Sequence, residues 1–143
     1  MAYSNPLQVY EILEKVTKEK ARKDKISTLQ KYKDVMALRD VLQGTFDDRI
    51  QWNLPTGPVP YTPHREDTVP ATLRKEHLKF KFFVKGLRES NKLPAVKREK
   101  MFIDICESVH PRDAEVLVAM INKQPPMKGI TEKLVKEAFP DLL

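Results

Sequence analysis

Apolar residues recur at helical spacing along most of the chain, with one long interruption. Val9, Ile12, Leu13 and Val16 repeat at three and four, as one buried stripe of a helix does. Asn5 is placed to cap that helix and Pro6 to occupy its first position, where the missing N–H costs nothing. The run from Thr17 to Lys25 is almost wholly polar and predicts a break or a solvated elbow. A second period follows with Ile26, Leu29 and Tyr32. A third has Val35, Leu38, Val41 and Leu42, with Asp34 as its cap and Gly44 as its stop. Beyond residue 93, Pro94 opens a helix carrying Ala95, Phe102, Cys106 and Val109. Pro111 opens another, with Asp113 and Glu115 in its first turn, where the dipole favours negative charge, and Ala114, Leu117, Met120 and Ile121 facing inward. Gln124-Pro125-Pro126 ends it. Thr131 caps a last short helix in which Ile130 and Val135 form a hydrophobic staple, and Pro140 stops it.

Two segments break this regularity. Residues 46–70 hold Phe46, Ile50, Trp52 and Leu54, then Pro55, Gly57, Pro58, Pro60, Tyr61, Pro63 and Pro70, which suit an extended path and cannot propagate a helix. The aromatic residues argue that this strap is pinned across the helices, or that it offers a surface to a partner. In Leu73–Leu93 two periods compete. Leu73, His77, Phe80, Val84 and Leu87 fit a helix ending near Gly86, whereas Leu78, Phe80, Phe82 and Val84 alternate as a strand would. The expected fold is all-α: a single domain over residues 1–143 with six or seven helices, a long proline-rich strap and room for a short hairpin at 77–84. Its parts are N-terminal helices (1–45), the strap (46–70), and a basic helix with the C-terminal helices (71–143). No residue pattern recurs strongly enough to predict a solenoid.

At 143 residues the chain is long enough to bury a core without staples. No apolar stretch approaches the roughly 20 residues a bilayer requires, and the N-terminus lacks a secretory pattern, so the expectation is a cytoplasmic protein with no membrane association. The net charge of +6 becomes informative once located: residues 71–100 carry ten Lys/Arg against three Asp/Glu, while residues 101–143 carry five against seven. A basic surplus in one segment predicts an anionic partner for one face. Read as a helix, the segment puts Arg74, Lys81, Lys85 and Arg88 on one face with Lys75, Lys79 and Lys92 flanking. Phe80, Phe82 and Phe83 are interleaved, to pack inward or to stack on bases. The partner is then DNA or RNA.

Catalytic chemistry finds little support. His64, His77 and His110 have no second histidine or paired glutamate at zinc-helix spacing, and the four glycines are isolated, so no metal, cofactor or phosphate loop is expected. The run His64-Arg65-Glu66-Asp67 suits a solvated loop. Cys106 lies on an apolar stripe beside Ile103 and Ile105 and reads as a small core hydrophobe. The protein is expected not to be an enzyme. A second candidate surface is Trp52 and Tyr61 of the strap together with the C-terminal Phe139, Asp141, Leu142 and Leu143, an acidic and hydrophobic tail. Tails of that type dock replication proteins on sliding clamps, and Phe139 and Leu142 are equally suited to packing onto the domain.

A longer series of residues resembles a known family. Phe46 with Arg49-Ile50 and Trp52, Leu54-Pro55 with Gly57, Pro60-Tyr61, Phe83-Val84-Lys85-Gly86, Phe102-Ile103, His110-Pro111 and above all Gly129-Ile130-Thr131 through Ala138-Phe139-Pro140 are similar to small proteins of T-even-type tailed phages and marine cyanophages. That family has no assigned activity, and the resemblance implies context only: a host cytoplasm or a virion. Three roles follow as expectations. One is a non-enzymatic accessory binding nucleic acid, or a replication or transcription machine, through the basic face. The second is a protein-binding module or inhibitor, acting on a phage or host protein such as a clamp or polymerase through the strap or tail. The third is a virion component. Oligomeric state is left open by the sequence.

Overall fold

The computed structural model describes residues 7–143. Among these the elements are α1 (Val9–Lys18), α2 (Arg22–Lys31), α3 (Met36–Phe46), α4 (Leu73–Glu76), a 3₁₀ segment (His77–Phe82), α5 (Arg88–Asn91), α6 (Ala95–Ser108), α7 (Pro111–Ile121) and α8 (Glu132–Ala138). The fold is all-α, and the expected hairpin is reduced to one isolated antiparallel bridge between Trp52 and Val84. No helix among the described residues is long and apolar enough to cross a membrane.

Helix α7 is the axis of the packing. It lies against α1, α3 and α6, and α2 packs on α1 and on α8. The predicted stripes supply the core: Ile12, Leu13 and Val16 from α1, Leu38, Val41 and Leu42 from α3, Phe102 and Cys106 from α6, Ala114, Leu117 and Met120 from α7 and Leu134 from α8 are all buried. The punctuation at Pro94, Pro111 and Thr131 is as expected. Thr131 Oγ1 accepts the Leu134 N–H, and His110 Nδ1 accepts that of Arg112 ahead of Pro111. The break after Lys18 is also present.

Four details depart from the sequence reading. The Asn5 cap and the Pro6 opening lie outside the described residues, and α1 starts at Val9, where the Gln8 N–H donates to Glu11. Asp34 does not cap α3, which begins after Val35 with no side-chain cap. Gly44 does not stop α3; it sits inside the helix, where a Cβ would collide with the Trp52 indole. Glycine here admits an aromatic ring and is not needed for a turn.

The fourth departure is the basic segment, which is neither a long helix nor a strand. Thr72 Oγ1 caps a single turn, α4, by accepting the Arg74 N–H. The chain then tightens to 3₁₀, whose three residues per turn eclipse positions i and i+3. His77, Phe80 and Phe83 are spaced three apart, and Phe80 and Phe83 are buried with His77 close behind. The periods of 3.6 and 2 compete in this stretch because the real period is 3. After Phe83 the backbone pairs with the strap, the Asn53 N–H donating to Phe83 O and the Lys85 N–H to Gln51 O (2.7 Å), before Gly86 turns at φ 94°. The strap is pinned in other places too. Asn122 Nδ2 donates to Gly57 O, the Thr62 N–H to the Glu107 carboxylate, and the His64 Nδ1–H to Glu107 O.

Candidate functional site

The single basic face expected of a helix over Leu73–Leu93 does not exist, because the backbone changes form three times within it. Its cations divide into two groups. Arg74 is used internally: Nε and Nη2 donate to Leu7 O at 3.1 and 2.9 Å, tying α4 to the entrance of α1. Lys79 lies 2.9 Å from the Glu76 carboxylate. Lys75, Lys81, Lys85, Arg88 and Lys92 are exposed, and among the described residues none has a carboxylate within salt-bridge distance.

One cation that charge counting assigns to this surface belongs to the interior. Arg98 is 8% exposed, and its guanidinium donates to three carbonyls: Asn53 O at 2.7 Å, Ser90 O at 3.0 Å and Leu93 O at 2.8 Å. Asn53 Nδ2 donates in turn to Ser90 Oγ. The strap, α5 and the start of α6 are held by this one side chain. Its signature was present in the sequence, since Arg98 stands four residues before Phe102 and eight before Cys106 on the stripe that faces the core. A charge on such a stripe is either solvated by carbonyls or expelled.

Beside the basic segment lies a hollow of about 270 Å³ whose walls include Trp52, Phe80, Leu78, Lys81 and the His77–Asp40 pair. Two of its walls are fixed by hydrogen bonds. Trp52 Nε1 donates to Gly44 O at 2.9 Å and its ring meets Phe80 edge-on at 6.1 Å. The His77 Nδ1–H donates to Asp40 Oδ2 at 2.6 Å, so Asp40 is committed to histidine. Leu78 is 66% exposed at the rim, and the Lys81 ammonium lies 5.5 Å from the Phe82 ring centroid. Trp52 and Lys81, proposed from sequence for two separate surfaces, thus line one cavity. No seryl, threonyl or cysteinyl nucleophile lines it beside the His77–Asp40 pair.

The other predicted partner surface is split. Tyr61 is half-buried, and near it Leu54, Pro55, Pro58, Val59 and Pro60 cover an apolar hollow of about 160 Å³ against Phe102, Ile103 and Ile121. In the tail, Phe139 and Leu142 are buried and Leu143 is half-buried; Pro140 and Asp141 are exposed. The folded tail therefore offers no free hydrophobic side chains comparable to a docking peptide.

Two ionisable groups have roles the sequence did not indicate: Asp113, expected only as a dipole-favoured acid at a helix start, and the half-buried Lys123. Asp113, fully buried, accepts the Tyr10 N–H at 2.9 Å and so caps α1 from another helix; burial pushes its carboxyl up to about 7, and Oδ2 has no partner among the described residues. Lys123, in the left-handed region at φ 56°, donates from Nζ to Gly44 O and Asp47 O at 2.8 Å each, closing the C-terminal end of α3; burial lowers its pKa. Cys106 is buried, and its thiol is pushed up to about 12 by burial first and Glu107 second. Among the described residues no cluster of three His, Cys, Asp or Glu side chains could hold a metal ion.

Compared with known proteins, the chain matches one family model over residues 12–125, that of a family of unknown function (DUF6433). No curated protein and no solved structure matches it.

Proposed function

The chain belongs to DUF6433, a family of unknown function, and we propose from its own residues that it is a non-enzymatic accessory protein binding nucleic acid, or a machine that handles it, through the cations between Lys75 and Lys92. The observation that carries this reading is the set Lys75, Lys81, Lys85, Arg88 and Lys92: exposed, close in sequence, and without carboxylate partners among the described residues. Cations of that kind gain free energy by displacing counterions from phosphates, independently of base sequence. The resemblance of the Gly129 to Pro140 run to tailed-phage proteins supports a phage origin and action in the host cytoplasm or a virion. Arg74 and Lys79 contribute less, being committed to Leu7 O and Glu76.

The test is the affinity of a fluorescent oligonucleotide for the wild type and for Lys81→Glu/Lys85→Glu/Arg88→Glu as salt is raised from about 50 to 200 mM. The wild type binds with a steep negative salt slope. The triple variant binds at least tenfold more weakly, with a slope reduced by about 2–3. Equal binding by both proteins rejects the basic segment as the surface.

A protein-binding role is favoured by the apolar hollow under the strap prolines, which suits a short hydrophobic segment of a polymerase, clamp or host factor. The burial of Phe139 and Leu142 speaks against the tail as its vehicle.

A further inference from the structure

We infer that the hollow walled by Trp52, Phe80, Leu78 and Lys81 receives an unstacked base, so that the nucleic acid this protein prefers is single-stranded; the inference rests on the nucleic-acid reading above. Three observations meet here. First, the cavity pairs aromatic and aliphatic walls with a cation at the rim, the combination by which base faces and phosphates are held together without sequence choice. Second, Lys85 is attached to the same wall, its N–H donating to Gln51 O beside Trp52, and carries no carboxylate partner among the described residues. Third, Leu78 lines the hollow and is 66% exposed, so an apolar side chain there is accessible to an incoming base. The one acid on the wall, Asp40, accepts the His77 Nδ1–H at 2.6 Å, which turns one of its oxygens toward the histidine. The other titratable groups lining the hollow are His77 and Lys81. A duplex cannot use the cavity, since its bases are already stacked inside the helix.

Trp52 is the chain's one tryptophan, so the site carries its own reporter. The experiment titrates the full chain with a 20-nucleotide single strand and with the corresponding duplex, following Trp52 emission and the anisotropy of a label on the nucleic acid. The single strand is expected to bind and quench Trp52, and the duplex to bind with little change in emission. Leu78→Glu adds a charge that penalises both ligands alike, so its effect is read in the ratio of single-strand to duplex affinity, expected to fall about tenfold. The exposure of Leu78 makes that variant compatible with folding, and circular dichroism checks it. Binding of the single strand without any change at Trp52, or equal quenching by both ligands, overturns the base-receiving site while leaving the basic surface intact. An absence of binding by either ligand at low salt overturns both.

Discussion

The Arg98 guanidinium donates from Nε to the Asn53 carbonyl at 2.7 Å across a separation of 45 residues, joining α6 to the first part of the strap. Its Nη1 serves Ser90 O and Leu93 O, so one buried cation satisfies three carbonyls from three segments. Arg98→Leu leaves Asn53 O and Leu93 O without a donor, while Ser90 O keeps the Leu93 N–H at 3.2 Å, at a cost of about 1–3 kcal/mol for each acceptor that stays dry. The expected loss is about 3 kcal/mol in urea denaturation. Arg98→Lys restores only part of it, because a lysine lacks the planar fork that reaches diverging acceptors.

Gly44→Ala tests the contact that interrupts the ordinary logic of a helix. Alanine favours the helical backbone by about 1 kcal/mol over glycine, but overpacking costs about 1–3 kcal/mol. Two neighbours crowd the new Cβ: the Trp52 ring and Met120 Sδ at 3.0 Å. Methionine can move aside. The indole is held by its Nε1 bond to Gly44 O and by Phe80, so the steric cost wins. A lower Tm and a shift in Trp52 emission are expected; an unchanged or raised Tm would show that the ring yields freely.

Asp113 makes stability depend on pH in the direction opposite to a salt-bridged carboxylate. Its folded pKa, about 7, lies above the ordinary 3.8, so the folded state holds the proton more tightly than the unfolded chain does. Its contribution is full below about pH 4 and is lost as pH rises through 7. Asp113→Asn keeps an oxygen to accept the Tyr10 N–H while removing the charge. The variant's Tm is expected to exceed the wild type's at pH 8.5 by several degrees, and the difference to shrink by pH 5. A wild-type advantage that grows with pH would contradict the buried, protonated carboxyl.

The C-terminal residues separate packing from docking. Leu142 is 6% exposed, and burying a leucine side chain contributes about 1.5–3 kcal/mol. Deleting residues 140–143 is therefore expected to lower the Tm measurably. A truncated protein as stable as the full chain would return the tail to the status of a free peptide.

The stripes on α1, α3, α7 and α8, and the signals at Pro94, Pro111 and Thr131, were legible because each is a local rule read within one or two turns. Failures occurred where a distant group decides. Gly44 resembles a stop until Trp52 is placed against it. The His77-Phe80-Phe83 spacing fits neither common period because the segment is a 3₁₀ turn that runs into a bridge with the strap at Gln51 and Asn53. At the candidate site, the identities of Trp52 and Lys81 were readable, but their sharing of one hollow depends on a pairing 32 residues apart, between Trp52 and Val84. Arg98 entered the basic surplus of residues 71–100 although it is buried, because net charge carries no information about burial.

The clasp between the first and last thirds of the chain bears on how the protein is made. The N-terminal turn of α1 is capped by Asp113 across 103 residues, and α2 is tied to α8 by Arg22–Glu137 and by Gln30 donating to Ala138 O. A ribosome adding about 5–20 residues per second delivers α1 and α2 several seconds ahead of their partners. During that interval the stripe Val9, Ile12, Leu13 and Val16 has only α2 to cover it. Folding must wait for the last helices to emerge, and the nascent chain, rather than the finished protein, is the form most in need of a chaperone.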